Sequence, residues 1–128
     1  MRQQVKFVFQ IGLPALHQNF MYDIARDASS MCGGCTTDIK RGYWMTDEDR
    51  HQSVYIADLE QEVCFQLELT CEMHKKDNVY AYMVGAICAT AELYEVETDW
   101  VHVSEIPMTG RHFSVASLNA TPTEKDAA

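Results

Sequence analysis

Cys32 and Cys35 bracket Gly33-Gly34 in the stretch "MCGGCTT", at a spacing that zinc clips and thiol redox motifs both use. Redox chemistry needs a thiolate, which a helix N-terminus stabilises through its free N–H groups and dipole. Here the apolar-periodic stretch precedes the cysteines. Cys32 therefore falls at a helix C-terminus, where the dipole has the wrong sign. Zinc has a fuller donor set, because Cys71 and His74 would complete a Cys3His site with Cys32 and Cys35. If the intervening hairpin turns near Asp49, however, Cys35 faces about Cys64. Cys71 would then lie ~23 Å further on at about 3.3 Å per strand residue. Cys71 also alternates with Phe65 and Leu69, which fits a buried thiol of the core.

The other reactive residues make weaker patterns. Of the five histidines (His17, His51, His74, His102 and His112), three look like turn or helix-surface residues, and His102, on the outward side of a strand-like run, is the one of interest. A catalytic reading would pair His102 with Glu68. Asp23 and Asp27, one helical turn apart, suit a solvated helix face better than a paired-carboxylate site. There is no Gly-rich phosphate loop, no nucleophile elbow and no His-x-x-x-His pair.

The elements that must position these residues follow from periodicity. Val5, Phe7, Phe9 and Ile11 alternate, predicting a strand closed by Gly12 and Pro14. Leu16, Phe20, Ile24 and Ala28 recur every fourth residue, predicting a helix that stops at Gly33-Gly34. Residues 35–45 read as a second strand, with Trp44, Lys40 and Asp38 on one face, and residues 46–52 as a polar turn. Val63, Phe65, Leu67, Leu69 and Cys71 form the clearest strand; upstream, Val54 and Ile56 alternate in the other phase, predicting a bulge or a short break. A helix is expected from Val79 to Tyr94, capped by Asp77 or Asn78, with Tyr80, Met83, Val84, Ile87, Ala91 and Tyr94 inward. Its Gly85 is attributed to close packing on the sheet. A fourth strand runs through "WVHVSEI" to Pro107, residues 111–115 add a short fifth, and residues 118–128 make a loose tail after a single domain of residues 1–117.

The order β-α-β-β-α-β implies an α+β, ferredoxin-like domain: an antiparallel sheet with both helices on one face. The opposite face is left bare. It would display Gln10, Lys40, Trp44, Gln66, Glu68 and His102, with Arg41 and Arg50 near the hairpin. Trp44 is its anchor, since a Trp turned away from the core supplies a large share of binding energy when a partner covers it.

At "CGGCTTDIKRGYW" the chain resembles a loose set of small bacterial and phage-borne ferredoxin-like proteins. The matching positions are Gly33, Gly34, Thr36, Gly42 and Trp44, in the first half of the chain. Cys32 departs from the aromatic or aliphatic residue of that pattern, which favours Cys32 as a core filler. The resemblance implies the fold and a phage accessory role of the inhibitor or sponge kind, and it brings no catalytic residues.

Composition narrows the function classes. The chain has 128 residues, 47% apolar and 23% charged, enough for one core. Its formal charge of −9 repels nucleic-acid phosphates, and no apolar run reaches the about 18 residues of a membrane span. Five cysteines, an odd number, and the missing signal-peptide pattern argue for reduced thiols and a cytoplasmic protein. The reading is a non-enzymatic, homo-oligomeric binding module with no cofactor, which takes a small nucleotide-like ligand or a host protein on its open sheet face. The zinc-stabilised interaction domain is the alternative, and a small enzyme using His102 and Glu68 is a further one.

Overall fold

Strict alternation in the first strand sets the layering. β1 (Arg2–Leu13) buries Val5, Phe7, Phe9, Ile11 and Leu13 on one face. After it come α1 (Gln18–Cys32), β2 (Thr36–Met45), β3 (Leu59–Glu72), a 3-10 turn (Met73–Lys75), α2 (Lys76–Leu93) and β4 (Val101–Gly110). The computed structural model describes residues 2–48, 51–98 and 100–116. The strands form one antiparallel sheet in the order β2-β3-β1-β4. With both helices packed on one face, this is the ferredoxin-like fold.

The odd positions of β1 and β3 make the sheet side of the core, where Phe65, Leu67, Leu69 and Cys71 join the β1 residues. α1 lays Phe20, Ile24 and Ala28 on them, and α2 lays Val79, Met83 and Ile87. The helix ends meet where the Tyr94 hydroxyl donates to Asp23 at 2.5 Å and the His17 ring packs, tilted, against that of Tyr94. His17 also caps α1, its Nδ1 accepting from the Phe20 N–H. The other end of α1 closes at Gly33, left-handed with φ 86°, whose N–H bonds the Ser29 carbonyl at 2.8 Å. "Gly33-Gly34" is thus a helix stop, and Gly33 is the residue that needs the freedom of glycine.

Several expectations change. Leu16 precedes α1 and is exposed. α2 begins earlier than expected, continuing from the 3-10 turn with Lys75 at its cap and no side-chain cap bond, so neither Asp77 nor Asn78 caps it. Its buried stripe is Val79, Met83, Ile87 and Thr90; Val84 is exposed, and Tyr80, though partly exposed, sets its ring 6.0 Å from that of Phe7. A side chain at Gly85 would meet nothing within 4 Å, so close packing does not explain this glycine.

No bulge interrupts β3, whose pairing with β2 runs unbroken from Glu68 to Leu59. Val54 and Ile56 belong to an exposed loop, and the phase change marks where loop becomes strand. That loop is held by Asp47, whose carboxylate accepts from the Ile56 N–H and the Gln52 amide, and by Thr46, which bonds Asp58. β4 passes through Pro107 without stopping; an edge strand tolerates a proline because one side of it has no ladder to feed. In place of a fifth strand there is an isolated bridge at His112. The expected tail and Arg50 lie outside the described residues. No helix among the described residues is long and apolar enough to cross a membrane.

Two isoleucines test this layering. Ile24 is fully buried and Ile39 is 53% exposed. Ile24→Val should cost about 0.5–1.5 kcal/mol, and Ile39→Val should stay within about 0.5 kcal/mol of the parent, both read by urea unfolding. Equal losses would contradict one-sided burial.

Candidate functional site

Even-numbered residues of all four strands share the face that no helix covers, and the register sorts them into rungs. One rung carries Asp38, Gln66, Gln10 and His102; the next carries Lys40, Cys64 and Gly12; then Gly42 faces Glu62, and Trp44 faces Glu60. Gln10, Lys40, Trp44, Gln66, Glu68 and His102 thus share the bare face, as expected. Arg41 does not: it pairs with Val63 and so lies on the opposite face of β2.

One half of this face is a closed polar ladder. Lys6 pairs with Glu68 at 2.6 Å, Gln10 donates to Gln66 at 3.2 Å, and Arg2 pairs with Glu72. The hydrogen bond from Lys6, set against slight desolvation, holds the Glu68 carboxyl below its ordinary range. Glu68 is therefore a fixed anion, and the expected partnership with His102 does not form.

The acid that senses His102 is Glu62, which sequence reasoning overlooked. Its side chain lies across the sheet between two glycines. A side chain at Gly12 would run into the Glu62 carboxylate, and one at Gly42 would come 3.4 Å from its Cγ. With no Cβ on either side, the carboxyl settles against the backbone. Desolvation there raises its pKa; the Trp44 indole works against the rise, Glu48 and Glu60 add to it, and His102 lowers it. Trp44 is half-buried within this face rather than beneath the helices. Its indole Nε1 is shielded from solvent and has no hydrogen bond of full geometry, despite its interaction with Glu62. Cys64 is also partly buried, which raises its thiol pKa, with Glu62 pushing the same way and Lys40 opposing. The signal in the sequence was the pair of glycines at even positions of β1 and β2, the two strands that flank β3, together with Trp44 two residues after one of them.

The cysteines need a correction. Thr36 pairs with Glu68, so Cys35 stands beside Leu69 and not Cys64. The hairpin turns later than Asp49, since Met45 pairs with Leu59. Cys35 and Cys71 are then near neighbours, and both act on Cys32. Burial first, then Cys71 and Cys35, push the Cys32 thiol up to about 11. The Cys35 thiol accepts from the Ser29 hydroxyl and donates to the Ala25 carbonyl. His74 instead meets Glu72 at 3.3 Å. Among the described residues, no three His, Cys, Asp or Glu side chains are arranged to hold a metal ion. A shallow cavity near this end, of about 340 Å³, is lined by Cys35, Thr36, Lys6, Glu68 and Met108 and does not reach Trp44.

No family model and no curated protein matches the chain. Among solved structures, CutA from Synechococcus elongatus is similar with a TM-score of 0.49 and 9% identity, over 84% of this chain and 81% of that one. LarC2, the C-terminal domain of a cyclometallase involved in synthesis of the NPN cofactor of lactate racemase, gives a TM-score of 0.39 at 12% identity, over 88% of this chain and 62% of that one. A hydantoinase/carbamoylase family amidase from Burkholderia ambifaria gives 0.42 at 12% identity, over 92% of this chain and 31% of the amidase. These likenesses carry no activity over to this chain.

Glu62 yields two expectations. Its folded pKa is raised, so the stability it contributes is present below its unfolded pKa of about 4.3 and is lost as pH rises through the folded value. Glu62→Gln should therefore unfold at higher urea than the parent near pH 7, with the gap closing in acid. Gly12→Ala should drive the carboxyl toward water and bring its pKa back toward the ordinary range, as followed by carboxyl NMR titration. An unmoved titration would show that Gly12 makes no room for Glu62.

Proposed function

We propose that this domain is a non-enzymatic binding module that meets its ligand on the bare sheet face, at Trp44 and Glu62. The observation that carries the reading is a carboxyl seated between two glycines beside an indole N–H that is shielded and lacks a full hydrogen bond. Such a donor, held only by an imperfect contact with Glu62, keeps hydrogen-bonding capacity that a ligand acceptor would use. Glu62 would take N–H donors from the ligand, and Trp44 would stack on a planar ring. Lys40, Gln10, Gln66 and His102 surround them on the same face.

The surrounding charge orients that ligand. Glu48 and Glu60 act on Glu62, so a phosphate at this end would be repelled. A nucleotide-like ligand would enter base first and keep its phosphates toward Lys40. Sequestration of such a ligand is the biological form of the proposal, in line with the accessory role that the resemblance implies. Catalysis is the weaker reading, because Cys64 is kept a neutral thiol and Glu68 is tied to Lys6.

The test is mass spectrometry of small molecules released on denaturing the purified protein. The parent should release a ring compound, and Trp44→Ala and Glu62→Gln should lose it. Trp44→Ala should keep the fold within about 2 kcal/mol. A larger loss would show that Trp44 is structural and would remove the site.

A further inference from the structure

The sheet has two open edges that differ in kind. β4 carries Pro107, which has no N–H to offer a neighbour. β2 is a ten-residue strand with no proline, and every residue from Thr36 to Arg41 is exposed. Neither helix overhangs it. The Ile39 N–H donates to the Asp38 side chain at 2.9 Å, so this donor faces the open edge and is occupied from its own strand. By alternation, the backbone groups of Thr37, Arg41 and Tyr43 face the same way.

We propose that two copies of this chain join edge to edge along β2, antiparallel, about a two-fold axis at Ile39. Charge complementarity selects the partner and the register. Asp38 and Lys40 flank Ile39, and among the described residues neither has an ion-pair partner. With Ile39 on the axis, Asp38 meets the partner's Lys40 and Lys40 meets the partner's Asp38. Ile39 exchanges backbone bonds with the partner's Ile39, and Thr37 does so with the partner's Arg41. Sliding the pairing one step either way, with the same groups facing, sets Lys40 against the partner's Lys40 or Asp38 against the partner's Asp38. Like charges directly opposite destabilise a strand pair, so one register is chosen. The Asp38 carboxylate exchanges the Ile39 N–H for a lysine ammonium, which frees that N–H for the partner strand. Ile39, 53% exposed in the single chain, gains a cross-strand neighbour. The joined sheet keeps its helices on one side and its bare face continuous. Gly42 comes to lie opposite the partner's Thr36, so the partner extends the floor beside Trp44.

Sedimentation equilibrium on the full chain tests this at concentrations up to about 500 µM. The parent should be a dimer. Asp38→Lys or Lys40→Asp alone sets like charges across the axis and should raise the dimer Kd at least tenfold. The two together restore the pairing and should restore the dimer. Trp44→Ala should leave the dimer intact. A parent that stays monomeric over this range, or a dimer indifferent to both single charge changes, would overturn the proposal. So would a dimer lost with Trp44→Ala, which would place the interface on the bare face instead.

Discussion

The structure depends on burial of one side of β1. Its odd residues from Val5 to Leu13 reach full burial beneath two helices, while its even residues Lys6, Val8 and Gln10 have no layer above them. Such a face meets water, and its polar side chains can pair across the strands. The even residues therefore answer one another across the rungs, Lys6 with Glu68 and Gln10 with Gln66. Cross-strand pairs of this kind contribute roughly 0.2–1 kcal/mol each. They matter more because they keep the face polar and ordered than because they hold the fold.

Where that ladder stops, the chemistry changes. Toward the β2–β3 hairpin, even positions on the strands flanking β3 become Gly12 and Gly42, and the side chain between them is an acid. In the ladder Glu68 is matched to Lys6 and Glu72 to Arg2; here Glu62 has an indole, a thiol and further glutamates for company. The same one-sided architecture thus yields a satisfied surface at one end and an unsatisfied one at the other. The second is where an outside molecule has something to gain.

The cysteines show how a single register decides between chemistries. Their spacing fits a zinc clip, and the hairpin register brings Cys35 and Cys71 closer than a turn near Asp49 would allow. Yet the Cys35 thiol spends its hydrogen-bonding capacity on α1, and Cys32 is driven toward its neutral form by burial. They behave as polarisable packing at the end of α1.

Strand and helix periods were legible in the residues because each period reports local geometry: alternation in β1 and β3, the four-residue recurrence in α1, the glycine that ends it. From these the helix-covered face and the bare face followed, and with them the placement of Trp44, Lys40, Gln66 and His102. The hairpin register was not legible, since the polar run 46–53 and the residues after it contain several places to turn, and the bonds of Asp47 and Thr46 that choose among them span the loop. Glu62 was not legible for a related reason. What sets it apart is the absence of side chains on two other strands, and only the tertiary pairing brings Gly12 and Gly42 to either side of it. Local periodicity determined which way each residue points; long-range register decided which residues meet.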